Sequence, residues 1–307
     1  MTKPASSASI PNMTRRRSSP TSKLLFSTLL PFSLLICSCG SPSSAIDAQP
    51  VQINQLTPEE ASEGWILLFD GETLDGWEDP AKENPPGDAW IVEDGCIKTV
   101  PRPRIREDLL TLERFRDFEF TFEWKISQRG NSGVKYLVQD RVVLIDGKPD
   151  PSAERFEDRV HYEMEYRLGN RNAVEPDDRV EEYLVAFEYQ IIDNLSHPDA
   201  GAAHNRTTAS IYGLVAPQNP TLRPVGEFNQ SRIVLEGNRV RHWLNGDLVL
   251  DVDLTSEEIK AGLEKRWTQE SPIYRLLTEL PRRESPIALQ HHNDEVWFRN
   301  LKIRRLN

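Results

Sequence analysis

FEFTFEWKI, residues Phe118–Ile126, decides how the chain is read. Phe118, Phe120, Phe122, Trp124 and Ile126 fall on one face of an extended segment, and Glu119, Thr121, Glu123 and Lys125 on the other. Unbroken alternation of this kind describes a half-buried antiparallel strand, apolar toward a core and polar toward water. Outward from it, RVRHWLNGDLVLDVDL sets Asn245-Gly246 between two strand-like runs. That pair suits a two-residue hairpin turn in which both central residues need positive φ. Further strand candidates are WILLF, AWIVED, GVKYLV, VHYEMEYR, ASIYGLV, SRIVLEG, PIALQ and VWFRNLKI. Many short strands with polar turns predict an all-β sandwich or jelly roll. The one helical pattern is SEEIKAGLEKRW, with Ser256 as N-cap and Ile259, Leu263 and Trp267 at spacings of four, which predicts a single short surface helix.

The chain has 307 residues, 38% of them hydrophobic and 28% charged, enough for a sizeable core and too polar for a multispanning membrane protein. Residues 1–39 differ from the rest. They hold Lys3, Arg15, Arg16, Arg17 and Lys23, no acidic residue, and the apolar run LLFSTLLPFSLLIC, which is interrupted by Pro31 and short for a spanning helix. This reads as an export signal. Its end, ICSCGS, matches a lipobox in which Cys39 takes the lipid, and an ordinary cleaved signal is the alternative. The expected product is an exported lipoprotein of the cell envelope, on the outer membrane or facing the periplasm, touching membrane only through its anchor. Residues 40–62 read as a flexible tether, and 63–307 as the folded domain. Removing the five positive charges from a net −11 leaves −16, which argues against nucleic acid as a partner. With Cys37 cleaved and Cys39 lipidated, Cys96 has no disulfide partner and is expected to pack as a small buried side chain. Asp140–Glu182 is highly charged and reads as an insertion or a large loop.

FEYQIIDN, residues Phe187–Asn194, puts Glu188 and Gln190 on one face of a strand and Tyr189 and Ile191 on the other. The polar face is either solvated or the floor of a groove. Apolar residues on both sides favour a central strand, whose face in a sandwich can be concave. In GNSGVKY, Asn131 and Ser132 suit a turn, and Lys135 is either a snorkelling surface residue or a charge held in a polar cleft. Histidines cluster in HPDAGAAHNR (His197, His204) and in LQHHND (His291, His292, beside Asp294). Neither spacing fixes metal-ligand geometry, so no cofactor is required by the sequence and a divalent metal stays open. Neutral imidazoles can also serve as bases. Glycine-rich phosphate loops, GxSxG, paired CxxC and HExxH are all missing from the sequence.

Taken in order, GWILLFDGETLDGW, DLLTLERFRDFEFTFEWKIS, GNSGVKY, FEYQIIDN with HPDA, ASIYGLVAP, HWLNG and LQHHNDEVWFRNLKIR resemble the 3-keto-disaccharide hydrolase domain family over Glu63–Leu306. The resemblance implies a concanavalin A-like jelly roll and a substrate whose sugar C3 hydroxyl has been oxidised to a ketone by a functionally linked sugar 3-dehydrogenase. Two departures stand out. Where the family usually reads glutamine, aspartate, histidine, glycine, this chain has Gln290, His291, His292 and Asn293, and the segment before FEYQ is longer than usual.

A C3 ketone acidifies the C2 hydrogen, and the glycosidic oxygen on C1 lies β to that carbonyl. One base with groups that stabilise the enolate can then expel the aglycone, after which water adds back, in place of the two-carboxylate scheme of ordinary glycosidases. The resemblance points to His292 or Glu188 as base, Lys135 as the cation at the developing oxyanion, and Asp193 or Glu188 as acid. Gln190, Asn131, Tyr212, His197, Gln290 and His291 would bind substrate. A non-catalytic lectin-like carbohydrate-binding module of the envelope is the competing expectation, since fold alone does not fix function.

Overall fold

The structure, a computed structural model, describes residues 53–78, 89–103, 107–146, 155–157, 161–163 and 179–306; the side chains of 143–146, 161–163 and 179–182 lie outside that description. The expected export signal, the expected lipidation site Cys39 and most of the expected tether fall outside it. Two antiparallel sheets face each other, in agreement with the expected all-β jelly-roll sandwich. The larger joins β1 (Trp65–Leu67), β3 (Trp90–Glu93), β4 (Cys96–Thr99), β6 (Phe118–Ile126), β10 (Asn229–Glu236), β11 (Arg239–Leu244), β12 (Asp247–Asp253) and β14 (Val296–Arg305). The smaller joins β2 (Trp77–Glu78), β5 (Leu109–Thr111), β7 (Asn131–Asp146), β8 (His161–Glu163), β9 (Arg179–Ile192) and β13 (Ala288–Leu289).

The alternation in FEFTFEWKI is realised residue by residue. Phe118, Phe120, Phe122, Trp124 and Ile126 are all buried in the core, while on the outer face Arg232 and Arg304 close on Glu119. Across the sandwich the Phe122 and Tyr189 rings meet edge to face with centroids 5.7 Å apart. The polar atoms of Trp124, Tyr136, Tyr189, Ser231 and His242 buried between the sheets find partners, as their desolvation requires. Ser231 Oγ lies 2.8 Å from both Trp124 Nε1 and the Tyr189 hydroxyl. His242 bridges the Tyr136 hydroxyl and the Ala209 carbonyl, and burial lowers its pKa to about 4, which keeps the ring neutral. Asn245 and Gly246 turn the β11–β12 hairpin with φ of 50° and 94°. Cys96 is a free, buried thiol, and burial pushes its pKa up.

Several expectations need correction. The tether is shorter than residues 40–62: Asn54 exchanges hydrogen bonds with Asn300, and α1 (Pro58–Ser62) starts at a capping box of Thr57 and Glu60, with Glu60 also bonded to Lys302. The single expected helix, α3 (Glu257–Glu264), is capped by Ser256 as predicted, but α2 (Pro198–Ala202) and α4 (Pro272–Glu279) accompany it. Helix α4 carries the same signals, Ser271 as N-cap and Pro272 in the first turn, and buries Ile273, Tyr274 and Leu277. ASIYGLV is not a strand. Gly213, at φ +71°, turns the run back so that Ile211 bridges both Tyr189 and Val215. The 140–182 segment begins and ends as sheet, since β7 and β9 stay paired from Asn131–Ile192 out to Asp146–Arg179.

Candidate active site

The face of β9 is set by its anchors. Phe187, Tyr189 and Ile191 enter the core, so period-two geometry sends Glu188 and Gln190 to the opposite side. There they line a cavity of about 340 Å³, within the usual ~300–1,000 Å³ range of small-molecule sites. Among the described residues no further strand pairs with β9 beyond β7, and its outer edge is covered by residues 208–212. The Gln190 and Tyr212 N–H groups donate to Ser210 O and Glu188 O, and Ala209 N donates to Gln190 O. These bonds carry the Tyr212 ring to the cavity.

Glu188 pairs in register with Lys135, and Gln190 with Gly133. The missing side chain at Gly133 makes the seat: a Cβ there would stand 2.5 Å from Glu188 Oε1 and 2.8 Å from its Cγ. Gln290, brought alongside by its N–H bond to the Gly133 carbonyl, donates through Nε2 to Glu188 Oε2 at 3.1 Å. Glu188 keeps part of its surface open to the cavity but is otherwise densely surrounded. Burial pushes its carboxyl up, Lys135 pulls it down, Asp108 raises it again, and the balance is about 7. A carboxyl poised there can both take and return a proton near neutrality.

Asp199 has the opposite character. Burial also raises it, but the Tyr212 hydroxyl and Arg206, each 2.6 Å away, hold it below the usual aspartate value and keep it ionised. His197 caps α2, its Nδ1 accepting the Asp199 N–H at 3.1 Å. The Arg266 guanidinium lies 5.3 Å over the Tyr212 ring and 5.2 Å over Phe156. Gly213 lets it approach, since a Cβ there would meet Arg266 Nη1 at 3.0 Å. Asn131 and Gln290 line the cavity, and Asn131 Oδ1 and Gln290 Oε1 are buried without a hydrogen-bond partner.

Of the residues singled out in the sequence, Glu188, Gln190, Asn131, Tyr212, His197, Gln290 and His292 line this one cavity. Three do not. Lys135 lies behind Glu188, its ammonium 2.6 Å from Asp108 Oδ2; burial opposes its charge, but Asp108 and Glu188 hold its pKa above the ordinary lysine value. Asp193 faces away, into a separate groove, and its carboxylate receives the N–H groups of Arg129, Leu195 and Ser196. It serves as a loop staple and is not an acid of this cavity. His291 is buried beneath, with Nε2 3.0 Å from the Val100 carbonyl, Nδ1 accepting Asn293 N–H, and its ring edge-on to Trp90. Asp108, Asp199, Arg266 and Phe156 were not legible as site residues, although Asp108 heads the DLLTLERF motif and Asp199 stands in HPDA. Among the described residues, no group of three or more His, Cys, Asp or Glu side chains is arranged to hold a metal ion.

Residues 64–304 match the family described as 3-keto-alpha-glucoside-1,2-lyase-like domain. A 3-keto-disaccharide hydrolase of Bacteroides thetaiotaomicron is 32% identical over 280 residues, spanning 87% of this chain and 86% of that protein. A crystal structure of a candidate glycosyl hydrolase from Parabacteroides distasonis superposes with a TM-score of 0.59 at 25% identity, covering 83% of this chain and all of that one. The expectation of a non-catalytic binding module gives way to an enzyme of the glycoside hydrolase and lyase class, and the chain belongs to the 3-keto-alpha-glucoside-1,2-lyase-like domain family.

Proposed function

We propose that the protein cleaves the glycosidic bond of 3-keto-glycosides by elimination followed by hydration. The observation that carries this reading is Glu188, a carboxyl with a pKa of about 7 standing in a sugar-sized cavity on an Asp108–Lys135 support. Glu188 as carboxylate takes the C2 proton, the C–H electrons form the enolate of the C3 ketone, and the enolate collapses to expel the C1 oxygen. The carboxyl returns its proton to the leaving oxygen on the same face, and water then adds at C1 of the resulting enone. A single residue thereby serves as base and acid, which suits a pKa near neutrality.

We assign His292, from the turn that also supplies Gln290, as donor to the C3 oxygen, with Arg266 as the cation on the cavity wall. This replaces Lys135 in that role, since Lys135 acts on the site through Glu188. Asn131, Gln190 and Gln290 offer amides to the ring hydroxyls, and His197 and Tyr212 shape the wall. The substrate requires a preceding oxidation at C3, so a sugar 3-dehydrogenase is the functional partner. The basic leader and Cys39 support a cell-envelope location for both steps.

The test is aglycone release from a 3-keto-glucoside and from the same glucoside unoxidised, each with and without chelator. Release from the keto substrate alone supports elimination, and its persistence in chelator shows that no divalent metal takes part. Equal release from the unoxidised glycoside contradicts the reading.

A further inference from the structure

Along β9 the cavity changes character. At the Gln190 end its wall is polar, with Glu188, Gln190, Asn131 and Gln290; toward Tyr183 it becomes apolar, with Ala186, Leu184 and Tyr183 itself. Seven residues of strand separate Gln190 from Tyr183, ~23 Å, which is longer than one sugar ring. At the apolar end three rings come together. Phe156 meets Trp267 edge to face at 5.4 Å, Tyr183 lies 6.0 Å from Trp267, and Phe156 lies 6.4 Å from Tyr183. Leu277 of α4 and Leu263 of α3 complete the wall.

Phe156 reaches this place because its neighbour grips the chain on both sides of Trp267. Glu157 N–H donates to the Arg266 carbonyl at 3.0 Å, and the Glu157 carboxylate accepts the Thr268 N–H. The 140–182 segment therefore contributes a wall of the cavity. The Arg266 guanidinium spans the boundary between the two halves, over the rings of Tyr212 and Phe156.

We infer that the apolar end is a leaving-group subsite for a planar aromatic aglycone, an inference that rests on the elimination reading above and names its substrate class. With C2 at Glu188 and the ring hydroxyls turned to the amides of the polar end, the C1 substituent extends toward Leu184 and the three rings. A second sugar in that position would bring several hydroxyls to a wall of Phe156, Leu184, Leu263 and Leu277, where each loses its bonds to water without return. An aromatic group has no such cost and gains edge and face contacts with the ring cluster.

The experiment compares 3-keto benzyl glucoside with a 3-keto disaccharide of the same anomeric configuration, in the full-length protein and in Phe156→Ala. Both aglycones leave as ordinary alcohols, so a difference reports recognition. The benzyl substrate should be cleaved with the higher kcat/KM, and Phe156→Ala should lower that value about tenfold more than it lowers the disaccharide's. A disaccharide preference in the native protein, or an equal fall for both substrates in the variant, overturns the subsite while leaving the elimination reading intact. Should neither substrate be cleaved, the elimination reading fails and calorimetry on unoxidised benzyl and methyl glucosides decides. Tighter benzyl binding that is lost in Phe156→Ala supports the subsite, and equal binding overturns it.

Discussion

Lys135 and Glu188 are cross-strand partners in register on β7 and β9, yet the Lys135 ammonium turns to Asp108, 2.6 Å away, and leaves the Glu188 carboxyl to the cavity. This triangle explains how a glutamate reaches a pKa of about 7 while a lysine stands beside it. Burial raises the carboxyl, and the cation that would lower it is shared with a second carboxylate that raises it again.

Replacing Lys135 with Met removes the group that lowers Glu188, so the Glu188 pKa should rise above its native value. If Glu188 acts as base, activity rises with pH through that pKa, and the limb of the kcat/KM profile should move to higher pH. The same change leaves Asp108 buried without its cation, a loss of about 3–5 kcal/mol expected from breaking a buried pair. Denaturant melts should show this loss, and adding Asp108→Leu should recover part of it.

Gly133→Ala tests the seat of Glu188. Its Cβ would meet Glu188 Oε1 at 2.5 Å, and β9 holds the Glu188 backbone through its ladder with β7, so the carboxyl must leave its place. We expect kcat to fall at least about tenfold with far-ultraviolet circular dichroism unchanged, because a displacement of the reacting group alone can have that effect.

Asp193→Ala should affect stability and spare turnover. Burial raises the Asp193 carboxyl, but the three backbone N–H groups it accepts hold it below the usual value. Its stabilisation is therefore present above the ordinary aspartate pKa and is lost as pH falls through the lowered one. Losing these bonds should cost about 2 kcal/mol in a thermal or denaturant melt, with kcat on a 3-keto-glucoside within about twofold of native.

How much of this was legible in the sequence follows from what each signal depends on. Phe118–Ile126, Asn245-Gly246 and Ser256 report local geometry, and the structure keeps all three. The face of Glu188 and Gln190 was readable for the same reason. Helix α4 carries the same local signals in Ser271 and Pro272. Asp193 and His291 have the residue types of catalysis, but the direction of a side chain at a strand end or in a turn depends on which backbone groups stand nearby. Asp108, Arg266 and Phe156 reach the site from distant parts of the chain. Only the pairing of β5, β13 and β7 brings Asp108 beneath Glu188, and only the docking of Glu157 around Trp267 brings Phe156 to the wall.

Glu188→Gln removes the titrating group while keeping its shape and its contact with Gln290. Turnover of a 3-keto-glucoside should fall by about 10²–10⁴, the usual contribution of a general base, while substrate binding measured by calorimetry persists. The native carboxyl binds its proton more tightly when folded, with a pKa of about 7 against 4.5 for an ordinary glutamate, so stability should decline as pH rises through that interval and level off above it. In Glu188→Gln that decline should disappear.

The central claim is that the bond breaks through loss of the C2 hydrogen. Cleavage of a 3-keto-glucoside in heavy water, with the released 3-keto sugar followed by mass spectrometry and NMR, tests it most directly. Elimination and rehydration predict one deuterium at C2 in each product molecule, beyond the exchange seen when the product is incubated without enzyme. Product formed at full rate with protium retained at C2 would contradict the account.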